Sequence, residues 1–252
     1  MKLCVPIPCF FNGIPFEAAV EKVSALGYKY AEIYGWKQLD LASALHALKN
    51  CGVTLLSMCT TEFCLTDPAR REAWLNGIRE SCEAAAVLGV KKLITQVGQD
   101  TGEDRALQRQ SVVSGLRAGA PILESAGVTV MIEPLNTKVD HPGYFLTSSA
   151  EAFDIVRAVN SPNVKVVFDI YHQQISEGNI IPNITANLDL ISHLHAAGHP
   201  GRHELQRGEN DYRNIFAAVD KAGYTGACGL EYNPTLPPEE SLAAAKAIYG
   251  GE

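Results

Sequence analysis

Five times along the chain a glycine closes a helix-prone stretch and leads at once into a short apolar run. The segments are ALGYKYAEIY, NCGVTLLSM, VLGVKKLIT, SAGVTVMIE and KAGYTGACGLEY, with the glycines at 27, 52, 89, 127 and 223. Glycine just past a helix accepts a left-handed φ that other residues resist, so each join reads as a helix ending and a strand beginning. KLCVPI near the start, VKVVFDI after the turn SPN, and ISHLHAA bring the set to eight strands. Between them lie amphipathic stretches such as PFEAAVEKVSAL, LDLASALHALKN, PARREAWLNGIRESCEAAAVL, SAEAFDIVRAV and DYRNIFAAVDKA. Ser148 followed by Glu151 has the capping-box spacing of a helix start.

Strands alternating with helices imply right-handed βαβ units and a parallel sheet. Eight such units in 252 residues fit a closed (β/α)8 TIM barrel better than an open doubly wound sheet. The first strand is not followed by GxGxxG, which weakens the dinucleotide-binding alternative. No linker or low-complexity segment interrupts the pattern, so a single α/β domain over residues 1–252 is expected.

Composition narrows the function classes. Lys and Arg number 21 against 28 Asp and Glu, a net charge of −7 that gives phosphate-backbone binding no support. No segment has the length of a membrane span and the N-terminus lacks a signal-peptide pattern, so a soluble, cytoplasmic protein is expected. Seven cysteines without a CxxC pair fit neither a disulfide framework nor a structural zinc site; reduced core residues are expected, with Cys9, Cys59 and Cys64 near strand ends.

In a barrel of this kind the site is built at the C-terminal strand ends. Strand five runs into Glu133, strand six into Asp169, strand seven into His195 and strand eight into Glu231. A lone carboxylate there often caps a helix or meets solvent, but four consecutive strands each deliver a metal-ligating side chain to one rim. Three carboxylates and one imidazole suit Mn²⁺ or Mg²⁺, with Co²⁺ and Zn²⁺ also compatible. An ion held this way can stabilise an enediolate after loss of an α-proton, the chemistry of sugar isomerases and epimerases. Glu133 and Glu231 flank the expected ion and are the candidate acid and base.

The segments IEPLN, DHPGYFL, SPNVKVVFDIYHQQ, HLHAAGHPGRHE, GENDY and GLEY resemble the hydroxypyruvate isomerase family, within the xylose-isomerase-like barrels that also include the ketose 3-epimerases. The resemblance is close over residues 131–235, while the first half agrees mainly in barrel pattern. It implies a metal-dependent isomerase interconverting a hydroxy-keto acid and its aldehyde isomer, with Glu133, Asp169, His195 and Glu231 as metal ligands and Glu133 and Glu231 moving the proton. It further implies that His172 and Arg202 contact substrate oxygens. An arginine in that loop can pair in a bidentate way with a substrate carboxylate. One departure stands out: hydroxypyruvate isomerases often carry glutamine where this chain has His195, as the ketose 3-epimerases do.

Glu32 on strand two occupies a plausible interior position, where it either binds substrate hydroxyls or closes a polar layer. Phe10, Phe11, Tyr34 and Trp36 follow the first two strands and are candidates for pocket walls or for packing. Asn136, Lys138 and Asp140 lie in the loop after Glu133. Of the four histidines in HLHAAGHPGRHE, His193 and His195 share the inward face, His193 one layer deeper as a supporting or packing residue, and His199 and His203 fall in the loop. The expected partner is a small-molecule sugar or hydroxy-keto acid rather than nucleic acid or membrane, and a homodimer or homotetramer is compatible. Weighed against the isomerase are a ketose 3-epimerase using the same site, a nuclease of the endonuclease IV type, and a sugar-binding barrel without turnover.

Overall fold

The computed structural model describes residues 1–250. Eight strands, β1 (Lys2–Pro6), β2 (Tyr30–Glu32), β3 (Thr54–Cys59), β4 (Lys92–Thr95), β5 (Thr129–Ile132), β6 (Val164–Asp169), β7 (Ile191–His195) and β8 (Ala227–Gly229), close into a barrel in sequence order. All neighbours are parallel, and β8 returns to β1 through the pairs Lys2 with Ala227 and Cys4 with Gly229. The expected TIM barrel is therefore present as one closed unit surrounded by helices.

The helix-to-strand joins form as their glycines require. Gly27, Gly52, Gly89, Gly127 and Gly223 all have positive φ, from 61° to 92°, a conformation in which a Cβ would be strained. Helix starts are set by short polar side chains: Asp40, Asp104 and Asp211 each accept a hydrogen bond from backbone amides of the first turn. Ser148 accepts one from the Glu151 amide as its spacing predicts, but the Glu151 carboxylate turns away to Arg105 at 2.5 Å. Only half of the capping box forms, because an ion pair to the neighbouring helix takes the glutamate.

Most of the apolar core lies between strands and helices. Phe168 faces outward, stacked on Phe153 with ring centroids 6.4 Å apart, so Val167 and Asp169 on the alternate face point inward. Inside the barrel, Ile94, Met131 and Val167 form a small separate apolar cluster with Cys59 on the side of β3 to β6. The opposite side carries Glu32, His193 and His195, all buried. Register shifts occur between Ala31 and Glu32 on β2 and between Val166 and Val167 opposite β7. Such bulges re-aim side chains, here beside the polar half of the interior. Among the described residues no helix is long and apolar enough to cross a membrane.

Candidate metal centre and active site

Glu133 follows β5 by one residue, Asp169 and His195 are the last residues of β6 and β7, and Glu231 lies two residues beyond β8. Closure of the barrel brings them together: one ligand atom from each falls within 4.8 Å of those of the others. His195 Nδ1 is 3.3 Å from Glu133 Oε1 and 3.2 Å from Glu231 Oε2. All four are buried.

Asp169 divides its two oxygens between two tasks. Oδ1 caps the helix Ile170–Ser176, accepting from the amides of Tyr171 at 2.7 Å and His172 at 3.2 Å. Oδ2 is buried and accepts no hydrogen bond, a costly condition for a carboxylate oxygen unless a cation completes it. That oxygen faces His172 Nε2 at 3.5 Å and the Arg202 guanidinium at 3.7 Å. The donor set and the unpartnered oxygen together fit a divalent ion bound to oxygen-rich ligands.

Burial and charge divide the acids. Burial pushes the Asp169 carboxyl up to about 6, partly offset by Arg202. Burial likewise raises Glu133 above the ordinary range, against the pull of His195. Glu231 goes the other way: burial would raise it, but His195 and Arg202 outweigh burial and hold it well below. Burial alone would lower His195, but Glu231 and Glu32 raise it. Burial brings His172 down to about 4, helped by Arg202. His172 is therefore a neutral ring near pH 7, with Nδ1 placed 2.7 Å from the Asn136 side-chain amide.

Arg202 reaches the site from the loop after β7. Its guanidinium donates to Glu231 Oε2 at 2.6 Å and lies over the Tyr171 ring, 5.2 Å from the centroid. The loop is tied at its neck by paired bonds between Gly198 and His203, at 2.8 and 3.2 Å. Gly208 packs against His199 so closely that a Cβ there would lie 2.0 Å from the His199 carbonyl oxygen. Next to it the Glu209 amide donates to that same oxygen at 2.7 Å. Glu204, buried, accepts from the amides of Thr235 and Leu236 at 2.7 and 2.9 Å and from the Thr235 hydroxyl at 2.9 Å. The PGRHE run and the GE after it are thus the parts of a closed loop that carries Arg202.

A cavity of about 510 Å³ opens onto these groups, bordered by Glu133, His172, His195, Arg202 and Glu231. The profile of the xylose isomerase-like TIM barrel family matches residues 20–248 of the chain. The chain belongs to this family. It is 35% identical to a 2-oxo-tetronate isomerase of Cupriavidus necator over 73% of the chain and 70% of that protein. It is 28% identical to the hydroxypyruvate isomerase of Escherichia coli over 96% and 97% of the two chains. A crystal structure described as AP endonuclease, family 2, from Brucella melitensis superposes with a TM-score of 0.93 at 29% identity, covering 99% of each chain. By this kinship the protein is an isomerase, and its relatives named as isomerases act on small molecules.

Within this family frame, several sequence expectations find a definite place. Cys9, Cys59 and Tyr34 border the cavity; Phe10 and Phe11 are packed in the core, Phe10 edge-on to Tyr232 at 5.1 Å. Trp36 and Cys64 do not border it. Lys138 donates to the Ile175 carbonyl and Asn136 supports His172, so that loop acts through its neighbours. Glu32 does not border the cavity: its carboxylate is 2% exposed and lies against His195, where the extra residue that β3 carries opposite Ala31 and Glu32 and the small Gly229 on β8 admit it. It sits in a polar layer with His193 and His195. Gln96, Phe63, His141 and Asn233 also border the cavity and were not singled out by sequence. Gln96 follows β4 by one residue, just as Glu133 follows β5, so extending the strand-end rule to β4 would have found it.

Proposed function

We propose that the protein is a metal-dependent isomerase of a short 3-hydroxy-2-oxo acid, the class to which hydroxypyruvate and 2-oxo-tetronate belong. The observation that carries this reading is the adjacency of three carboxylates and His195 to a single guanidinium, Arg202, at the mouth of one cavity. Glu133, Asp169, His195 and Glu231 would hold the ion, Mn²⁺ or Mg²⁺ by donor type, with Co²⁺ and Zn²⁺ also compatible. When bound, a divalent ion there would stabilise negative charge developing on the carbonyl and adjacent hydroxyl oxygens of the substrate.

The chain's own residues supply the rest. Arg202 offers a planar fork to the substrate carboxylate, a group that free ketoses lack. Neutral His172 is placed to share a hydrogen bond with a substrate hydroxyl. One of Glu133 and Glu231 takes the proton from the hydroxyl-bearing carbon, and the other delivers a proton to the former carbonyl carbon. For hydroxypyruvate, C3 loses hydrogen and becomes the aldehyde while C2 gains it, giving tartronate semialdehyde with no net oxidation. The intervening species is a cis-enediolate. Tyr34, Phe63 and Leu135 around the cavity limit water at the reacting carbons.

His195 and the cavity volume favour one second reading, a ketose 3-epimerase, since about 510 Å³ accommodates a six-carbon sugar. Incubation of Mn²⁺-loaded protein in D₂O separates the two. Deuterium in hydroxypyruvate or 2-oxo-tetronate with an isomeric product supports the isomerase. Label at C3 of tagatose, fructose or psicose with a diastereomer supports the epimerase. No incorporation from any of them would remove the proton-transfer proposal.

A further inference from the structure

We propose that Glu32 is a positioning residue for His195, accepting the Nε2–H of its ring and thereby presenting Nδ1 to the metal centre. The inference deepens the reading above and rests on it for the metal. Glu32 Oε1 and His195 Nε2 are both buried, neither completes a hydrogen bond elsewhere, and they face each other at 3.3 Å, on the side of the ring away from Glu133 and Glu231, which face Nδ1. An ionised carboxylate only accepts, so it favours the proton on Nε2 and leaves the Nδ1 lone pair free for ligation.

The carboxylate is itself braced. Ser57, its register partner on β3, donates to Oε2 at 2.7 Å, and His193 Nε2 lies 2.9 Å from the same oxygen. Space for this arrangement depends on Gly229 on β8, where a Cβ would fall 2.0 Å from Glu32 Oε1 and 2.8 Å from His195 Cδ2. Three strands besides β7 therefore contribute to the orientation of one imidazole: β2 the acceptor, β3 its brace and β8 an absence of side chain. Glu32, His193 and His195 also have donor atoms close enough to surround a cation. The Ser57 donor to Oε2 favours the positioning role, and the number of Mn²⁺ equivalents bound separates it from a second ion site.

The test compares the wild-type protein with Glu32→Gln and Gly229→Ala. Imidazole ¹⁵N–¹H spectra of metal-free and Mg²⁺-loaded protein are expected to contain a slowly exchanging Nε2–H of His195 in the wild type, lost or fast-exchanging in both variants. Mn²⁺ titration calorimetry is expected to give one equivalent in the wild type and a 10- to 100-fold weaker Kd in the variants. A wild-type protein that binds no Mn²⁺ overturns the proposed metal site, while the Nε2–H signal still decides the role of Glu32. Absence of that signal from the wild type overturns the inference even if neither variant folds. So does wild-type Mn²⁺ affinity in Glu32→Gln, or a second equivalent of Mn²⁺ that this variant loses.

Discussion

Glu133 and Glu231 approach the same nitrogen, His195 Nδ1, at 3.3 and 3.2 Å, yet their carboxyl groups are pushed in opposite directions. Burial raises Glu133, while His195 and the Arg202 guanidinium, 2.6 Å from Glu231 Oε2, hold Glu231 low. Two acids whose surroundings separate them in this way suit opposite halves of a proton transfer. Replacement of either by Gln is expected to lower kcat by about 10²- to 10⁴-fold, and to suppress deuterium incorporation from D₂O in parallel. Substantial turnover in both variants would remove their catalytic assignment.

Asp169 carries a cost in the absence of a cation. Its carboxyl is raised from 3.8 to about 6 by burial, so the folded state favours the protonated form. The associated stability is full below 3.8 and is lost as pH rises through about 6, a difference of about 3 kcal/mol. Asp169→Asn keeps the helix cap, since Asn caps as well as Asp. At pH 7.5 the metal-free variant is expected to melt on the order of 5 °C above metal-free wild type. The same substitution should abolish Mn²⁺ binding. An unchanged or lower Tm would contradict the assigned cost.

Removal of metal by a chelator is expected to abolish isomerisation and to leave the far-ultraviolet circular dichroism unchanged, because the barrel closes through its strands and helices. Return of Mn²⁺ at 100 times its Kd should restore activity and add about 2.7 kcal/mol to stability. Activity that persists after exhaustive chelation would exclude the metal-dependent reading.

Arg202 presents a fork that lysine cannot reproduce. Arg202→Lys is expected to raise KM for hydroxypyruvate by roughly 10-fold or more. A smaller effect is expected on any neutral ketose that turns over, because such a substrate offers no carboxylate. Steady-state kinetics on both substrate types distinguishes carboxylate recognition from a general disturbance of the site.

Glu204 ties the Arg202 loop to the chain after β8. Burial would raise its carboxyl, but the amides of Leu236 and Thr235 and the Thr235 hydroxyl outweigh burial and bring it down to about 2. Its contribution to stability is therefore present above 4.5 and lost as pH falls toward 2. Glu204→Gln is expected to lower Tm most at neutral pH, with the gap to wild type closing between pH 4.5 and 2. A gap that stays constant over that range would separate loop anchoring from carboxylate charge.

The alternation of glycine-stopped helices and short apolar runs was enough to specify the barrel. Each unit is local in sequence, and the left-handed glycine at each join is a property of one residue. The strand-end rule likewise found Glu133, Asp169, His195 and Glu231, because a barrel brings all its strand ends to one rim whatever the loops do. The surroundings of Glu32 and Arg202 were not legible in the same way. Glu32 depends on a one-residue bulge and on the missing Cβ of Gly229, some two hundred positions away. Arg202 depends on a loop folded back through Glu204, so that its guanidinium meets Glu231 and Asp169 rather than solvent. Sequence by itself determined which residues reach the rim, since that follows from local chain geometry. Only the tertiary structure decided which of their atoms face one another, because distances between side chains on different strands are set when the barrel closes.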